Sequence, residues 1–140
     1  MRPYKHIESL IGRYISQHYH CPIEIGIGEN VVCARKLRDA GIEVRCTDIR
    51  PIIAEPGILS RIDDIFEPDP AFYDGADLLY AIRPGVEMVP PMITLASRIG
   101  ADLLVYHLGF EVYGDGGEII DAGIVLHRYC RRAKPSKRED

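Results

Sequence analysis

The stretch PIEIGIGENV, residues 22–31, runs from a short apolar segment straight into two glycines one residue apart. Pro22 ends the helical pattern that precedes it, and PIEI reads as a short buried strand. Gly26 and Gly28 form a turn in which backbone can approach a ligand closely, and the helix behind the turn presents free N–H groups. That helix is predicted over ENVVCARKLRDAG. Asn30 is its expected N-cap, Leu37 and Ala40 mark its inner face, and Gly41 is its expected C′ residue. IEVRCTD then reads as a strand rich in β-branched residues. It ends on Asp48, twenty residues beyond Gly28.

The same alternation extends outward from this unit. Ile7, Leu10, Ile11, Tyr14, Ile15 and His18 repeat at i, i+3, i+4, i+7, i+8 and i+11, one stripe of an amphipathic helix over residues 4–18, with Pro3 suited to its first turn. His18 is expected packed or half-exposed at the end of that stripe. After a loop, IRPIIAEPG, the segment ILSRIDDIF contains a third short strand. ADLLYAIRP is a buried fourth strand ended by Arg83-Pro84. VEMVPPMITLASRIG reads as a helix begun or kinked at Pro90-Pro91 and closed by Gly100, and ADLLVYHLG as strand five. From residue 110 to 130 no helical pattern remains. Gly114, Asp115, Gly116 and Gly117 signal a turn between strand-like flanks, a hairpin or pair of edge strands completing the sheet.

These elements predict an α/β chain: a three-layer α/β/α sandwich around a mostly parallel sheet, with strand one central and a C-terminal strand pair. One domain is expected over residues 1–130, with no internal repeat and no linker. The strand ends at Ile25, Asp48, Arg83 and His107 should share one rim, where ligands of such sheets bind.

The chain has 140 residues, 46% hydrophobic and 27% charged, enough for a substantial core without staples. No run of eighteen apolar residues suggests a membrane span, and MRPYKHIESL lacks the apolar stretch of a secretory signal, so a cytoplasmic protein is expected. Cys21, Cys33, Cys46 and Cys130 form no CxxC and have no histidine at zinc-ligand spacing. They read as small hydrophobes, and no metal site is expected. The net charge is −4, but the last ten residues hold five basic and two acidic groups, leaving residues 1–130 at −7. The acidic body argues against nucleic acid as a partner, whereas the basic tail, residues 131–140, leaves a nucleic-acid or protein contact open.

The turn also discriminates between cofactors. A dinucleotide fingerprint needs a third glycine at position 31, which is Val31, and Glu29 would repel a pyrophosphate at the helix N-terminus. S-adenosylmethionine has no phosphate and carries a sulfonium and an ammonium group, and Glu24 suits a cationic ligand. EIGIGEN followed by CTD resembles the first two motifs of class I S-adenosylmethionine-dependent methyltransferases, whose fold is Rossmann-like. The resemblance implies that Glu24 lies near the methionine end of the cofactor, that Gly26 and Gly28 pass beneath it, and that Asp48 holds the ribose. The family's third glycine falls on Asn30. Asp64, with Ile65 packing on the ring, falls where the family contacts adenine. Asp63-Asp64 reads equally as a turn closed by an Asx bond. Over its whole length, including TDIRP, DDIFEP and AIRP, the chain is similar to a small uncharacterised, mainly archaeal family of that fold.

Where amino-methylating members carry an Asp/Asn-Pro-Pro-aromatic segment, this chain has Ala81-Ile82-Arg83-Pro84-Gly85. Arg83 either clamps an acidic group of an acceptor or pairs structurally with Asp63, Asp64 or Asp48. His107, the one histidine on the expected rim, is either the general base of a methyl transfer or a hydrogen-bonded structural residue. The expected function is therefore S-adenosylmethionine binding by a small methyltransferase of unspecified acceptor. The alternatives are a non-catalytic cofactor- or partner-binding module, or another nucleotide binder. The chain has no substrate-binding insertion, so either the substrate is small or a protein partner supplies recognition. Residues 131–140 hold five basic residues, Pro135 and no apolar side chain larger than alanine, and should be disordered. Backbone heteronuclear NOEs are expected to be low over Lys134–Arg138. High values there would contradict the reading.

Overall fold

A computed structural model describes residues 3–132. The elements are α1 (Pro3–His18), β1 (Pro22–Ile25), α2 (Val32–Asp39), β2 (Val44–Asp48), β3 (Ile58–Ile62), β4 (Leu78–Ile82), α3 (Val89–Ile99), β5 (Asp102–Tyr106), β6 (Glu118–Asp121) and β7 (Val125–Cys130). Short 3-10 turns at Pro70–Tyr73 and Val86–Met88 precede β4 and α3. The seven strands form one sheet in the order β3-β2-β1-β4-β5-β7-β6. β1 to β5 are parallel, and the antiparallel β6–β7 pair is appended to β5. The expected order of elements and the Rossmann-like α/β sandwich are observed, with β1 interior. Among the described residues no helix is long and apolar enough to cross a membrane.

α1 and α2 cover one face of the sheet through Ile11, Ile15, Tyr19, Cys33, Ala34 and Leu37, which pack on Cys46, Leu78, Tyr80 and Leu104. α3 covers the other through Val89, Met92, Leu95 and Ala96, on Ile23, Leu79 and Leu103. The crossovers from β2 to β3 and from β3 to β4 carry no α-helix. β3 is therefore a lightly covered edge, with Leu59 and Ile62 exposed. Gly41 and Gly100 take positive φ at the ends of α2 and α3, as their positions demand. The buried Arg45 of β2 donates to the carbonyls of Phe72 and Asp74 at 2.6 and 3.0 Å, fastening the 3-10 turn before β4.

Three expectations are corrected. The N-cap of α2 is Val31. Asn30 sits one residue earlier, and its Oδ1 accepts from the Val32 N–H at 3.2 Å. The C-terminal hairpin turns at Gly123, not at Gly114–Gly117, and residues 110–113 form no strand. The buried stripe of α1 is rotated from the expected one: Glu8, Ile11, Gly12, Ile15 and Tyr19 are buried, whereas Ile7, Leu10 and Tyr14 are half-buried and His18 is exposed. Of the basic tail, Arg131 meets Glu118 at 3.8 Å, and the Arg132 N–H donates to Asp102 at 2.7 Å. Residues 133–140, and with them the expected disorder, lie outside the described residues.

Leu79 of β4 is fully buried between β1 and β5 on the α3 face. Leu79→Ala should lower the unfolding free energy by about 2–5 kcal/mol in a urea titration. A loss below about 1 kcal/mol would contradict the packing described.

Candidate functional site

The turn after β1 is held by backbone and by one carboxylate. The N–H groups of Gly26 and Ile27 both donate to the Thr47 carbonyl, at 2.9 and 3.1 Å. Asp48 Oδ2 accepts from the Gly28 N–H at 2.7 Å and Oδ1 from the Arg50 N–H at 3.0 Å. Gly26 and Gly28 have φ of 72° and 57°. A Cβ at Gly28 would meet nothing within 4 Å, so the left-handed backbone rather than crowding calls for glycine there. Space above the turn is left for a ligand.

A cavity of about 420 Å³ opens at this turn, within the span of small-molecule sites. Its wall combines Gly26 and Gly28, Thr47 and Asp48 from the end of β2, Asp63, Asp64, Ile65 and Phe66 beyond β3, and Arg83, Pro84, Glu87 and Met88 beyond β4. Asp63 is engaged, accepting from the Tyr73 hydroxyl at 2.5 Å and the Asp69 N–H at 3.2 Å. Asp64 Oδ1 accepts from the Phe66 N–H at 2.9 Å, an Asx turn, while its residue also lines the cavity. The lining carries four carboxylates, Asp48, Asp63, Asp64 and Glu87, against two guanidiniums, Arg50 and Arg83. That balance favours a ligand bearing positive charge.

Two expected site residues stand behind the wall rather than in it. Glu24 is 3% exposed and faces α1 and α2, in register with Cys46 and Tyr80. The Tyr80 hydroxyl donates to its Oε1 at 3.0 Å. Burial pushes the Glu24 carboxyl up to about 8; the Tyr80 hydrogen bond opposes this and the nearby Glu8 carboxylate reinforces it. Glu24 thus keeps its proton at neutral pH. Asn30 turns its amide inward and donates to Glu8 Oε2 at 2.8 Å.

Glu8 is the residue that sequence reasoning missed. It is wholly buried, and its Oε2 also accepts from Arg83 Nη1 at 2.6 Å. The expected partners of Arg83, the three aspartates, are therefore replaced by a glutamate from α1. The signal was present: Glu8, Ile11, Gly12, Ile15 and Tyr19 share helical spacing, so one charge lies inside an otherwise apolar face.

His107 is brought elsewhere. It is 6% exposed, and its Nε2 lies 2.7 Å from the Tyr129 hydroxyl, which also accepts from the Tyr113 N–H. It borders a second cavity, of about 420 Å³, beside Phe110, Val112 and His127. His127 is a second histidine at this end of the sheet, its ring centre 5.0 Å from that of His107. Burial, then His127, lowers the His107 pKa from its ordinary value. Arg83 and His107 thus border different cavities.

The fold is that of class I S-adenosylmethionine-dependent methyltransferases. The structure superposes on an RNA methyltransferase from Salinibacter ruber in complex with S-adenosyl-L-homocysteine with a TM-score of 0.57 at 11% identity, covering 98% of this chain and 95% of that one. With the CcbJ methyltransferase from Streptomyces caelestis the TM-score is 0.56 at 14% identity over 70% of this chain and 47% of that one, so this chain spans under half of that enzyme. These likenesses are of fold alone. A profile of the Uncharacterised protein family (UPF0146) matches residues 9–115, and the chain belongs to that family. The UPF0146 protein of Archaeoglobus fulgidus is 34% identical over 106 residues, 75% of this chain and 78% of the relative.

Because the folded chain holds a proton on Glu24 that the unfolded chain releases above about 4.5, the contribution of Glu24 to stability should fall as pH rises from 5 to 8. Glu24→Gln removes that loss. Its unfolding free energy relative to the parent should rise by about 1 kcal/mol per pH unit across that window. A difference independent of pH in urea titrations would show that Glu24 titrates normally.

Proposed function

We propose that the chain binds S-adenosylmethionine in the cavity at the glycine turn. The carrying observation is that Gly26, Gly28, Asp48, Asp64 and Ile65, distant in sequence, line one cavity of about 420 Å³. Asp48 would take the ribose hydroxyls. A carboxylate offers about four acceptor positions, and two are used by the Gly28 and Arg50 N–H groups, so two remain. Ile65, with the exposed Phe66 beside it, would pack on the adenine, and Asp64 would accept from its amino group. The positive charge of the ligand suits the carboxylates of the lining, while Glu24 and Asn30 support the turn from behind.

When bound, the cofactor supplies an electrophilic methyl group. The geometry favours binding over an assigned transfer step, because His107 borders the neighbouring cavity and is engaged by Tyr129. In the cofactor cavity itself the groups able to accept a proton are carboxylates, and Glu87 is the exposed one among them. The acceptor, and any protein partner that presents it, is left open by this reading.

Calorimetric titration with S-adenosylmethionine and S-adenosylhomocysteine tests the proposal. Both are expected to bind, and more tightly than NAD. Asp48→Asn keeps one acceptor for the Gly28 N–H but loses the charge, and should weaken both ligands by roughly tenfold or more. Tighter binding of NAD, or unchanged affinity in Asp48→Asn, would sink the assignment.

A further inference from the structure

Arg83 is fixed from three sides. Its N–H donates to the Tyr106 carbonyl at 2.7 Å, its guanidinium carbon lies 5.4 Å from the centre of the Tyr106 ring, and its Nη1 donates to Glu8 Oε2. Among the described residues it is also the one non-glycine residue with a positive φ, 56°. That conformation is strained for a residue with a Cβ and persists where surroundings over-determine it. The expense continues at Glu8. Its carboxylate is wholly buried on α1, and Oε1 has no hydrogen-bond partner among the described residues. A buried acid with one bare oxygen destabilises the chain relative to an apolar side chain of the same shape. What Glu8 does in return is hold the guanidinium and the Asn30 amide on one oxygen.

The held guanidinium has a free edge. Nη1 is the nitrogen that meets Glu8, and Nε and Nη2 make no hydrogen bond or ion pair among the described residues. Those two N–H groups form the planar fork that matches a carboxylate in two parallel bonds. Arg83 belongs to the wall of the glycine-turn cavity, next to Pro84 and near Met88, whose Cε would lie 3.5 Å from a Cβ on Gly26. The other guanidinium of the lining, Arg50, is exposed and follows β2, on the Asp48 side of the turn.

We propose that Arg83 receives the carboxylate of the amino-acid end of the bound cofactor, and that Glu8 is the positioning residue that aims it. This inference rests on the reading of the cavity as an S-adenosylmethionine site. The adenosine end is accounted for by Asp48, Asp64 and Ile65 beyond β2 and β3, so the amino-acid end falls toward the exit of β4, where Arg83 stands. The lining also fixes the sign of the effect. With four carboxylates against two guanidiniums, the cavity as a whole favours the more positive ligand. A preference for the ligand that carries the extra carboxylate therefore requires a local cationic clamp.

The experiment compares S-adenosylmethionine with decarboxylated S-adenosylmethionine, which keeps the sulfonium and ammonium groups and lacks only the carboxylate, by calorimetry on the full chain. The parent should bind the first roughly ten- to a hundredfold more tightly. Arg83→Gln and Glu8→Gln should bring that ratio to about one or below it. Should either variant fail to fold, the ratio in the parent still decides. A merely structural role for the pair would lower the melting temperature and weaken both ligands together, leaving the ratio at its parental value, and that result would overturn the inference. Equal affinity of the parent for the two ligands would overturn it as well, while leaving the cofactor reading intact. Failure of the parent to bind any of the sulfonium ligands or S-adenosylhomocysteine would instead overturn that reading itself.

Discussion

β1 is four residues long, and everything else in the chain is arranged around its burial. It pairs in parallel with β2 on one side and β4 on the other, and all four of its residues are buried. Parallel strands cannot be joined by tight turns, so each pairing requires a crossover that lays chain over a face of the sheet. α1 and α2 end up on one face and α3 on the other. Because β1 ends between two longer neighbours, the chain must leave the sheet at Ile25, and it does so through a turn whose N–H groups are taken by Thr47 and Asp48. The cavity follows from that exit. It is bounded by the turn on one side and by the ends of β2, β3 and β4 on the others.

The polar groups behind the turn show how costly this arrangement is. Glu24 and Glu8 are both buried on the α1 side, and they resolve their repulsion differently. Glu24 stays neutral at ordinary pH and takes a hydrogen bond from Tyr80, which is the usual fate of a carboxyl removed from water without a cation. Glu8 meets the guanidinium of Arg83 and the amide of Asn30. Truncating one partner of such a pair strands the other charge in a poor solvent, whereas replacing both with apolar groups costs little. The cluster is therefore weak as a source of stability. Its tangible product is geometric: one arginine, on a strained backbone, fixed at the edge of the cavity.

A second feature of the same end of the sheet is the separation of two cavities. Arg83 and Tyr106 leave adjacent parallel strands, and the guanidinium lies over the tyrosine ring. On one side is the glycine turn with its carboxylates. On the other, His107 and His127 lie against the segment at residues 109–112, where Phe110 is fully exposed. The antiparallel β6–β7 pair creates this second space, because β7 lies beside β5 and carries His127 and Tyr129 up to His107.

Much of the fold was legible along the chain because its signals are local. A four-residue apolar strand followed by GIG, an aspartate at the end of the next strand, and glycines at helix ends each reflect backbone geometry that neighbouring residues impose. The sequence by itself therefore determined the element order, the parallel sheet with a terminal strand pair, and the gathering of Gly26, Gly28 and Asp48 on one rim. Tertiary structure decided the rest. Which stripe of α1 faces inward depends on what the sheet offers it, and a helix with apolar residues at 7, 10, 11, 14 and 15 is compatible with more than one rotation. The rotation adopted buries Glu8 against Arg83 and Asn30. Whether Glu24 is ionised, which carboxylate meets Arg83, and which cavity His107 borders likewise rest on contacts between residues 22 to 75 positions apart. Such contacts depend on burial and on the identity of the partner, and neither is written in the spacing of residues along the chain.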